Sequence, residues 1–133
     1  GIEDHPGQRA CGLRAAGLAA RFVTFGGECS QAEIARAVAE VEATGEPVDL
    51  LIAFGGGKCI DAGKCIAYRL AVPMVSCPSL ASNDAPCSAV SVIYTPAGVT
   101  ESLEFFPVNP ALVVVDTRIV AEAPLRYLVA GMG

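Results

Sequence analysis

The fold class follows from residues 49–64, which read Asp49-Leu-Leu-Ile-Ala-Phe-Gly-Gly-Gly-Lys-Cys-Ile-Asp-Ala-Gly-Lys64. The first part of this stretch, residues 49–54, is a largely apolar run that predicts a parallel strand buried on both faces. The three glycines that follow form a turn into a helix, which we predict over residues 59–70. A strand, a short turn and a helix in succession indicate an α/β fold.

The segments before this unit are predicted to add a strand and two helices. Residues 21–25 are rich in β-branched and aromatic side chains and predict a short strand. Ser30 and Glu33 form an S-x-x-E capping box, in which each side chain can bond the other's backbone N–H group. We therefore predict a helix that begins there and ends at Gly45. The alanine-rich residues 9–20 predict another helix.

Strands and loops alternate in the downstream part of the chain. We predict strands at residues 72–77 and 112–115, a polar loop at 78–86, a hairpin made of residues 88–95 and 101–106, and a last helix from Pro124 to Gly133. The apolar strand at 112–115 is expected to be buried. This order predicts one domain with a doubly wound, mostly parallel sheet and a β-hairpin insertion.

The 133-residue chain is apolar for a single soluble domain. Hydrophobic residues make up 53% of it and charged residues only 17%, against about 25% in typical domains. Because large apolar patches usually mark interaction faces, we expect another chain or domain to cover part of the surface. Fourteen acidic and nine basic residues give a net charge of −5 without a basic cluster, which argues against a nucleic-acid partner.

We expect a cytoplasmic location, with no membrane partner. Apolar runs such as residues 50–54 and 112–115 are far shorter than the roughly 20 residues that span a bilayer. The N-terminus has neither a basic flank nor an apolar stretch, so we do not expect a signal peptide, and Gly1 suggests that the natural start is missing.

Six cysteines are scattered along the chain without a C-x-x-C pair. In a reducing compartment such residues behave as small hydrophobic side chains, so we expect packing rather than disulfides. His5 is the single histidine, and the cysteine spacing does not favour a zinc site. The six are Cys11, Cys29, Cys59, Cys65, Cys77 and Cys87.

The glycine turn is the first place where the sequence indicates chemistry. In parallel sheets ligands bind beyond the carboxyl ends of the strands, and a helix N-terminus attracts phosphate. Gly55, Gly56 and Gly57 match neither the usual dinucleotide fingerprint nor a Walker loop, so a simple tight turn is the alternative. For Asp61 we favour compensation of the helix dipole, and for Cys59 packing over a lowered thiol pKa.

The polar loop after the next strand is the second place. Ser79, Ser82, Asn83, Asp84 and Ser88 bring hydroxyls, an amide and a carboxylate close together in sequence. Turns use the same residue types, so an ordinary capped loop is the alternative to a binding site. No histidine lies nearby that could complete a catalytic triad.

Several segments resemble one enzyme family in order and in spacing, from about residue 20 to the end. They are Gly55–Lys64, Pro78–Tyr94, Asn109–Thr117, Leu128–Gly133 and Phe25–Ser30. The sequence is similar to glycerol dehydrogenases of the metal-dependent, iron-type alcohol dehydrogenase superfamily. The resemblance implies that residues 1–133 are part of a Rossmann-like NAD-binding domain.

The resemblance also implies a role for individual residues in the oxidation of glycerol or a related vicinal diol by NAD. The pyrophosphate would meet the glycine turn at Gly56, Gly57 and Lys58. The path from adenosine to nicotinamide would be lined by Ser79, Ser82, Ser88, Val90 and Tyr94. Asp84 would hold the hydroxyls of the polyol substrate.

The resemblance places the metal chemistry outside this chain. In the family a helical metal-binding domain follows the match at Gly133, so we expect the ligands of zinc or iron, and every catalytic group, to be absent here. The chain alone is then expected to be inactive, and the complete enzyme to be a homo-oligomer. Alternatives are a non-catalytic nucleotide-binding or assembly remnant, a sister enzyme such as glycerol-1-phosphate dehydrogenase or a dehydroquinate-synthase-like protein, and, less favoured, a thiol-redox protein.

Overall fold

Residues 12–132 are described by the computed structural model, which arranges them around a parallel sheet and an antiparallel hairpin. In chain order the elements are α1 (Gln31–Glu42), β1 (Leu51–Gly55), α2 (Gly57–Arg69), β2 (Met74–Pro78), β3 (Val90–Tyr94), β4 (Thr100–Phe105), β5 (Leu112–Val113), α3 (Thr117–Glu122) and α4 (Leu125–Gly131). His5, Cys11 and Gly133, which the sequence interpretation used, lie outside the described residues.

The parallel sheet has the strand order β1-β2-β5. Ile52 pairs with Val75, and Val75 pairs in turn with Leu112, with all strands parallel. Strands β3 and β4 form the predicted antiparallel hairpin, whose register shifts between Ile93 and Tyr94. The predicted α/β class with a parallel sheet and a hairpin insertion is therefore confirmed.

Helix α2 lies between two hydrophobic clusters. On the sheet side, Ile60 and Ala67 pack with Ala53, Met74 and Ala85. On the other side, Ala62 and Cys65 pack with Cys29, Ile34 and Ile93 from the segment before α1, from α1 itself and from β3. Because both clusters meet on α2, its position sets the positions of the sheet and of the hairpin.

The capping box at the start of α1 is only half formed. Ser30 Oγ accepts a hydrogen bond from the Glu33 backbone N–H at 3.3 Å, as predicted. The Glu33 carboxylate does not return to Ser30 but accepts from the Gly26 backbone N–H at 2.7 Å and from Arg36. The Arg36 hydrogen bonds, followed by that of Gly26, lower the pKa of Glu33.

Of two predicted elements near the start of the described segment, the strand is wrong and the helix is shorter than expected. Residues 21–25 form no strand, because the described residues offer them no strand to pair with, and Phe25 instead packs against the cluster of Cys29 and Cys65. Of the helix predicted over residues 9–20, the described part is helical only at 12–15. It ends where Gly17 takes a positive φ of 77°.

Within residues 12–132 no layer covers the second face of the parallel sheet, against the prediction that β1 is buried on both faces. Helix α2 covers the face of Ala53, whereas Ile52 on the opposite face is 45% exposed. Leu112 and Val114 on that face are exposed as well, so the expected burial of 112–115 is also wrong. A strand is buried twice only when a layer covers each face, and residues 12–132 supply one layer.

The C-terminal part contains a helix that the sequence did not predict. Asp116 accepts a hydrogen bond from the Arg118 backbone N–H at 2.9 Å and caps the short helix α3. Helix α4 follows Pro124 as predicted. No helix within residues 12–132 is long and apolar enough to cross a membrane.

Candidate functional site

The glycine turn joins β1 to α2 and leaves the end of the helix uncapped by side chains. Gly55 ends the strand, Gly56 is the N-cap residue in an extended conformation, and Gly57 begins the helix. Ile60 N–H donates to the Gly56 carbonyl at 3.1 Å, which closes the first helical turn. The N–H groups before it have no partner within the helix and carry the positive end of its dipole. An anion can therefore bind at this end.

The absence of side chains in the turn lets the polar loop approach it. A Cβ atom on Gly57 would overlap the amide nitrogen of Asn83, and one on Gly56 would lie 3.4 Å from Leu80 Cδ2. The Ser79 backbone N–H donates to the Gly55 carbonyl at 2.9 Å. The two loops singled out in the sequence therefore lie side by side at the carboxyl edge of the sheet.

The polar loop is shaped by its own hydrogen bonds. Asn83 Oδ1 accepts from the Ala85 backbone N–H at 3.2 Å. The Asp84 carbonyl accepts from the backbone N–H groups of Cys87 and Ser88 at 3.0 and 3.1 Å. These bonds fold the loop tightly and leave the Asp84 side chain exposed to solvent.

An open cleft of about 550 Å³ lies between the two loops. Its lining combines the glycine turn, polar loop residues and aromatic side chains, namely Phe25, Phe54, Gly55, Gly56, Gly57, Lys58, Cys59, Leu80, Ser82, Asn83 and Tyr127. Four of the residues assigned to cofactor by resemblance lie in it: Gly56, Gly57, Lys58 and Ser82.

The other predicted site residues, Ser79, Asp84, Ser88, Val90 and Tyr94, are not part of the cleft lining. Ser79 adjoins the glycine turn through its hydrogen bond to Gly55, and Asp84 sits beyond the lining on the exposed side of the loop. Ser88 and Val90 bind the ammonium group of Lys64 through their carbonyls.

Lys58 is already engaged by two groups. Its Nζ atom donates to Glu28 Oε2 at 2.7 Å and lies 4.5 Å from the centre of the Tyr94 ring. The hydrogen bond to Glu28 raises the pKa of Lys58, so the ammonium group stays charged. Lys58 thus connects the start of α2 to the hairpin.

The described cysteines range from buried Cys29 and Cys65 to exposed Cys87. Cys59 donates to the Phe54 carbonyl at 3.5 Å, and burial raises the pKa of its thiol to about 11, which agrees with packing and not with a reactive thiolate. The side-chain hydrogen bond between Cys29 and Cys65, together with burial, raises the pKa of Cys29. All cysteines among the described residues are free of disulfides.

Asp61 does not have the predicted role. It lies beyond the first turn of α2 and is buried rather than set against the helix dipole. Its carboxylate is 2.8 Å from Lys64 Nζ and accepts the Val92 backbone N–H at 3.1 Å. The sequence shows that Asp61 and Lys64 lie three residues apart on one helix and can form an ion pair. It does not show that the hairpin packs against them, and the prediction failed for that reason.

Several cleft residues were missed by the sequence interpretation. Phe54 and Leu80 stand next to predicted site residues, so proximity to the strand ends was a usable signal for both. Tyr127 comes from a distant segment and carries no such signal.

A glycine turn at the carboxyl edge of a parallel sheet, next to a helix N-terminus, is typical of nucleotide-binding α/β proteins. A model of iron-containing alcohol dehydrogenases matches residues 8–117. The chain belongs to the iron-containing alcohol dehydrogenase family.

Within that family, several similar proteins are glycerol dehydrogenases. A glycerol dehydrogenase of Thermotoga maritima is 55% identical over 109 residues, which cover 82% of this chain and 29% of the relative. One of Pseudomonas putida is 48% identical over 121 residues, which cover 91% and 33%. The crystal structure of a probable glycerol dehydrogenase from Sinorhizobium meliloti 1021 matches with a TM-score of 0.81 and 46% identity, and covers 86% of this chain and 32% of that one.

The chain spans about a third of the length of the curated relatives it matches. The chain is therefore similar to about one third of a glycerol dehydrogenase, which is an oxidoreductase. Within residues 12–132 no three His, Cys, Asp or Glu side chains come together to hold a metal ion. The described residues do not fit the metal that the family name implies, whereas the uncapped glycine turn fits a phosphate group.

Proposed function

We propose that this chain supplies the NAD-binding part of a dehydrogenase that oxidises glycerol or a related vicinal diol to the hydroxyketone. One observation carries the proposal: the glycine turn presents unpaired N–H groups to a cleft beside the polar loop. Membership of the iron-containing alcohol dehydrogenase family and the likeness to glycerol dehydrogenases support the reaction class and the substrate.

In this proposal the residues of the chain bind and orient the cofactor. The backbone at Gly56 and Gly57 binds the pyrophosphate, and Lys58 adds a positive charge at the same corner. The path from adenosine to nicotinamide is lined by Ser79, Ser82, Ser88, Val90 and Tyr94. Bound NAD supplies the hydride acceptor.

Asp84 is proposed to bind the substrate. Its exposed carboxylate can accept hydrogen bonds from two neighbouring hydroxyl groups, which a diol offers and a mono-alcohol does not. Zinc or iron, which polarises the alcohol oxygen and lowers its pKa, is assigned to ligands outside the described residues.

The proposal also keeps three expectations from the sequence. Residues 1–133 are part of the NAD-binding domain, the enzyme is cytoplasmic, and it works as a homo-oligomer. The exposed apolar side chains of Ile52, Leu112 and Val114 support an assembled state, because apolar patches of this kind mark interaction surfaces.

The test compares two glycines in the full chain. Gly57→Val puts a side chain into the turn, so NAD and ADP should both bind at least about tenfold more weakly, a loss of about 1.4 kcal/mol or more. Gly12→Val is the matched control, because a Cβ at Gly12 meets nothing within 4 Å. Calorimetry gives the affinities and circular dichroism verifies folding. Equal NAD affinity in the two variants would refute phosphate binding at the turn.

The substrate arm uses a chimera in which this chain replaces the matching stretch of the Thermotoga maritima glycerol dehydrogenase. Each charge-assisted hydrogen bond contributes about 1.5 to 3 kcal/mol, so Asp84→Asn should lower kcat/KM for glycerol about tenfold or more and spare a mono-alcohol. Asp116→Asn is the control, since asparagine also caps a helix. A chimera that binds NAD without oxidising glycerol would favour a non-catalytic binding protein.

A further inference from the structure

Two charged side chains of α2 are buried where the proposed binding of cofactor and substrate does not use them. The side chains of Asp61 and Lys64 are 10% and 4% exposed, and Asp61 Oδ1 lies 2.8 Å from Lys64 Nζ. Burying two charges is costly unless good geometry and further hydrogen bonds compensate. The other partners of the pair therefore indicate what it does.

Lys64 binds the backbone that leads into the hairpin. Its Nζ atom donates to the carbonyl oxygen of Ser88 at 3.3 Å and to that of Val90. Ser88 Oγ lies 3.4 Å from the same ammonium group. An ammonium group has three donors, so Lys64 can hold both carbonyls while paired with Asp61.

Asp61 binds the next residues of the same segment. Its Oδ2 atom accepts the backbone N–H of Val92 at 3.1 Å, and its backbone carbonyl accepts from Ser91 Oγ at 2.9 Å. Ser91 is fully buried. Asp61 and Lys64 together hold four residues of this segment against α2, namely Ser88, Val90, Ser91 and Val92.

The same helix begins at the glycine turn. Helix α2 therefore carries the proposed phosphate site at its N-terminus and holds residues 88–92 from its second turn. The distance between the turn and this segment is fixed by buried charged groups, which bond in set directions, rather than by apolar packing alone.

We propose that Asp61 and Lys64 are positioning residues, which hold Ser88 and Val90 at the distance from the glycine turn that the nicotinamide end of NAD requires. The inference rests on the proposed function, which places Ser88 and Val90 on the cofactor path. The inference assigns Ser88 and Val90 to the nicotinamide end of that path. ADP contains the pyrophosphate and the adenosine but no nicotinamide, so on this assignment its binding depends on the turn and not on residues 88–92.

Lys64→Met tests the inference in the full chain, because methionine retains most of the apolar stem and removes all donors. NAD should bind at least tenfold more weakly, whereas the affinity for ADP should change less than twofold. Ser91→Ala removes a single tether and should give a smaller selective loss, of two- to fivefold. Calorimetry with NAD and with ADP measures both ligands on each variant.

The control is Met74→Ala, which removes a buried side chain on the sheet side of α2. It destabilises the fold without touching residues 88–92, so the ratio of the NAD and ADP affinities should stay as in the parent chain. An equal loss for both ligands in Lys64→Met, or no loss, would overturn the inference. If Lys64→Met does not fold, an unchanged ratio in Ser91→Ala overturns it.

The outcomes separate this inference from the proposed function. A parent chain that binds neither NAD nor ADP contradicts the proposed function, and the inference falls with it. A parent chain that binds both, with variants that lose both equally, leaves the proposed function standing and refutes the positioning role alone.

Discussion

Helix α2 and helix α4 are both rich in small or apolar residues, yet they differ in burial. Seven of the thirteen residues of α2 are buried, among them Ile60, which is fully inaccessible. No residue of α4 is buried, and Leu128 is 45% exposed. The difference follows from position, because α2 has the sheet on one side and α1 with the hairpin on the other.

This contrast teaches that an apolar sequence specifies a buried helix only where the fold supplies neighbours on the apolar side. The stability of residues 12–132 should therefore be concentrated around α2, and the C-terminal helices should contribute little. Three measurements test this distribution of stability.

The largest effect is expected for a cavity in the core beneath α2. Ile60→Ala should lower the free energy of unfolding by about 2–5 kcal/mol, because a buried methyl-rich side chain leaves a void. The matched change Leu128→Ala in α4 should stay within about 0.5 kcal/mol. Urea denaturation of both variants gives the comparison, and similar losses would show that α4 is part of the core after all.

A smaller effect is expected from the two helix caps. Ser30→Ala removes the hydrogen bond to the Glu33 backbone N–H and should cost about 1 kcal/mol. Asp116→Ala removes the corresponding bond in α3, which buries nothing, so only local fraying should follow. Thermal unfolding separates the two, and a larger loss for Asp116→Ala would contradict the ranking.

The smallest effect is expected in the pH dependence of stability under acidic conditions. The pKa of Glu33 is lowered by Arg36 and by the Gly26 backbone N–H, so its contribution to stability is present above the ordinary value of 4.5. It is lost as the pH falls through the lower pKa of the folded state. Glu33→Gln should therefore reduce the loss of stability between pH 5 and about pH 3, as measured by urea midpoints. An unchanged acid slope would show that Glu33 is not linked to folding.

The elements whose partners are adjacent in sequence could be predicted. Strand β1, the glycine turn and helix α2 follow each other directly, and the hairpin joins neighbouring strands, so local pattern and turn chemistry were sufficient. Residues 21–25 and 112–115 were misjudged because strand formation and burial depend on neighbours that the pattern of one segment does not reveal.

The part of the candidate site that follows directly from the strand ends could also be predicted. Gly56, Gly57 and Ser82 follow strand ends and lie in the cleft, because parallel strands bring their carboxyl ends to one edge. Tyr127 contributes to the cleft from the last helix, and no local sequence pattern predicts such a contact. The buried position of Asp61 likewise depends on the hairpin, which is distant in sequence.

The last turn of α4 touches the polar loop without an intervening side chain. A Cβ atom on Gly131 would overlap the Ala81 carbonyl oxygen and lie 3.3 Å from the Ser82 Cα atom. Backbone therefore meets backbone, and no rotamer change can absorb a displacement between the two. Any side chain at position 131 would therefore displace the loop at Ala81 and Ser82, and with it the part of the cleft lining that Ser82 supplies.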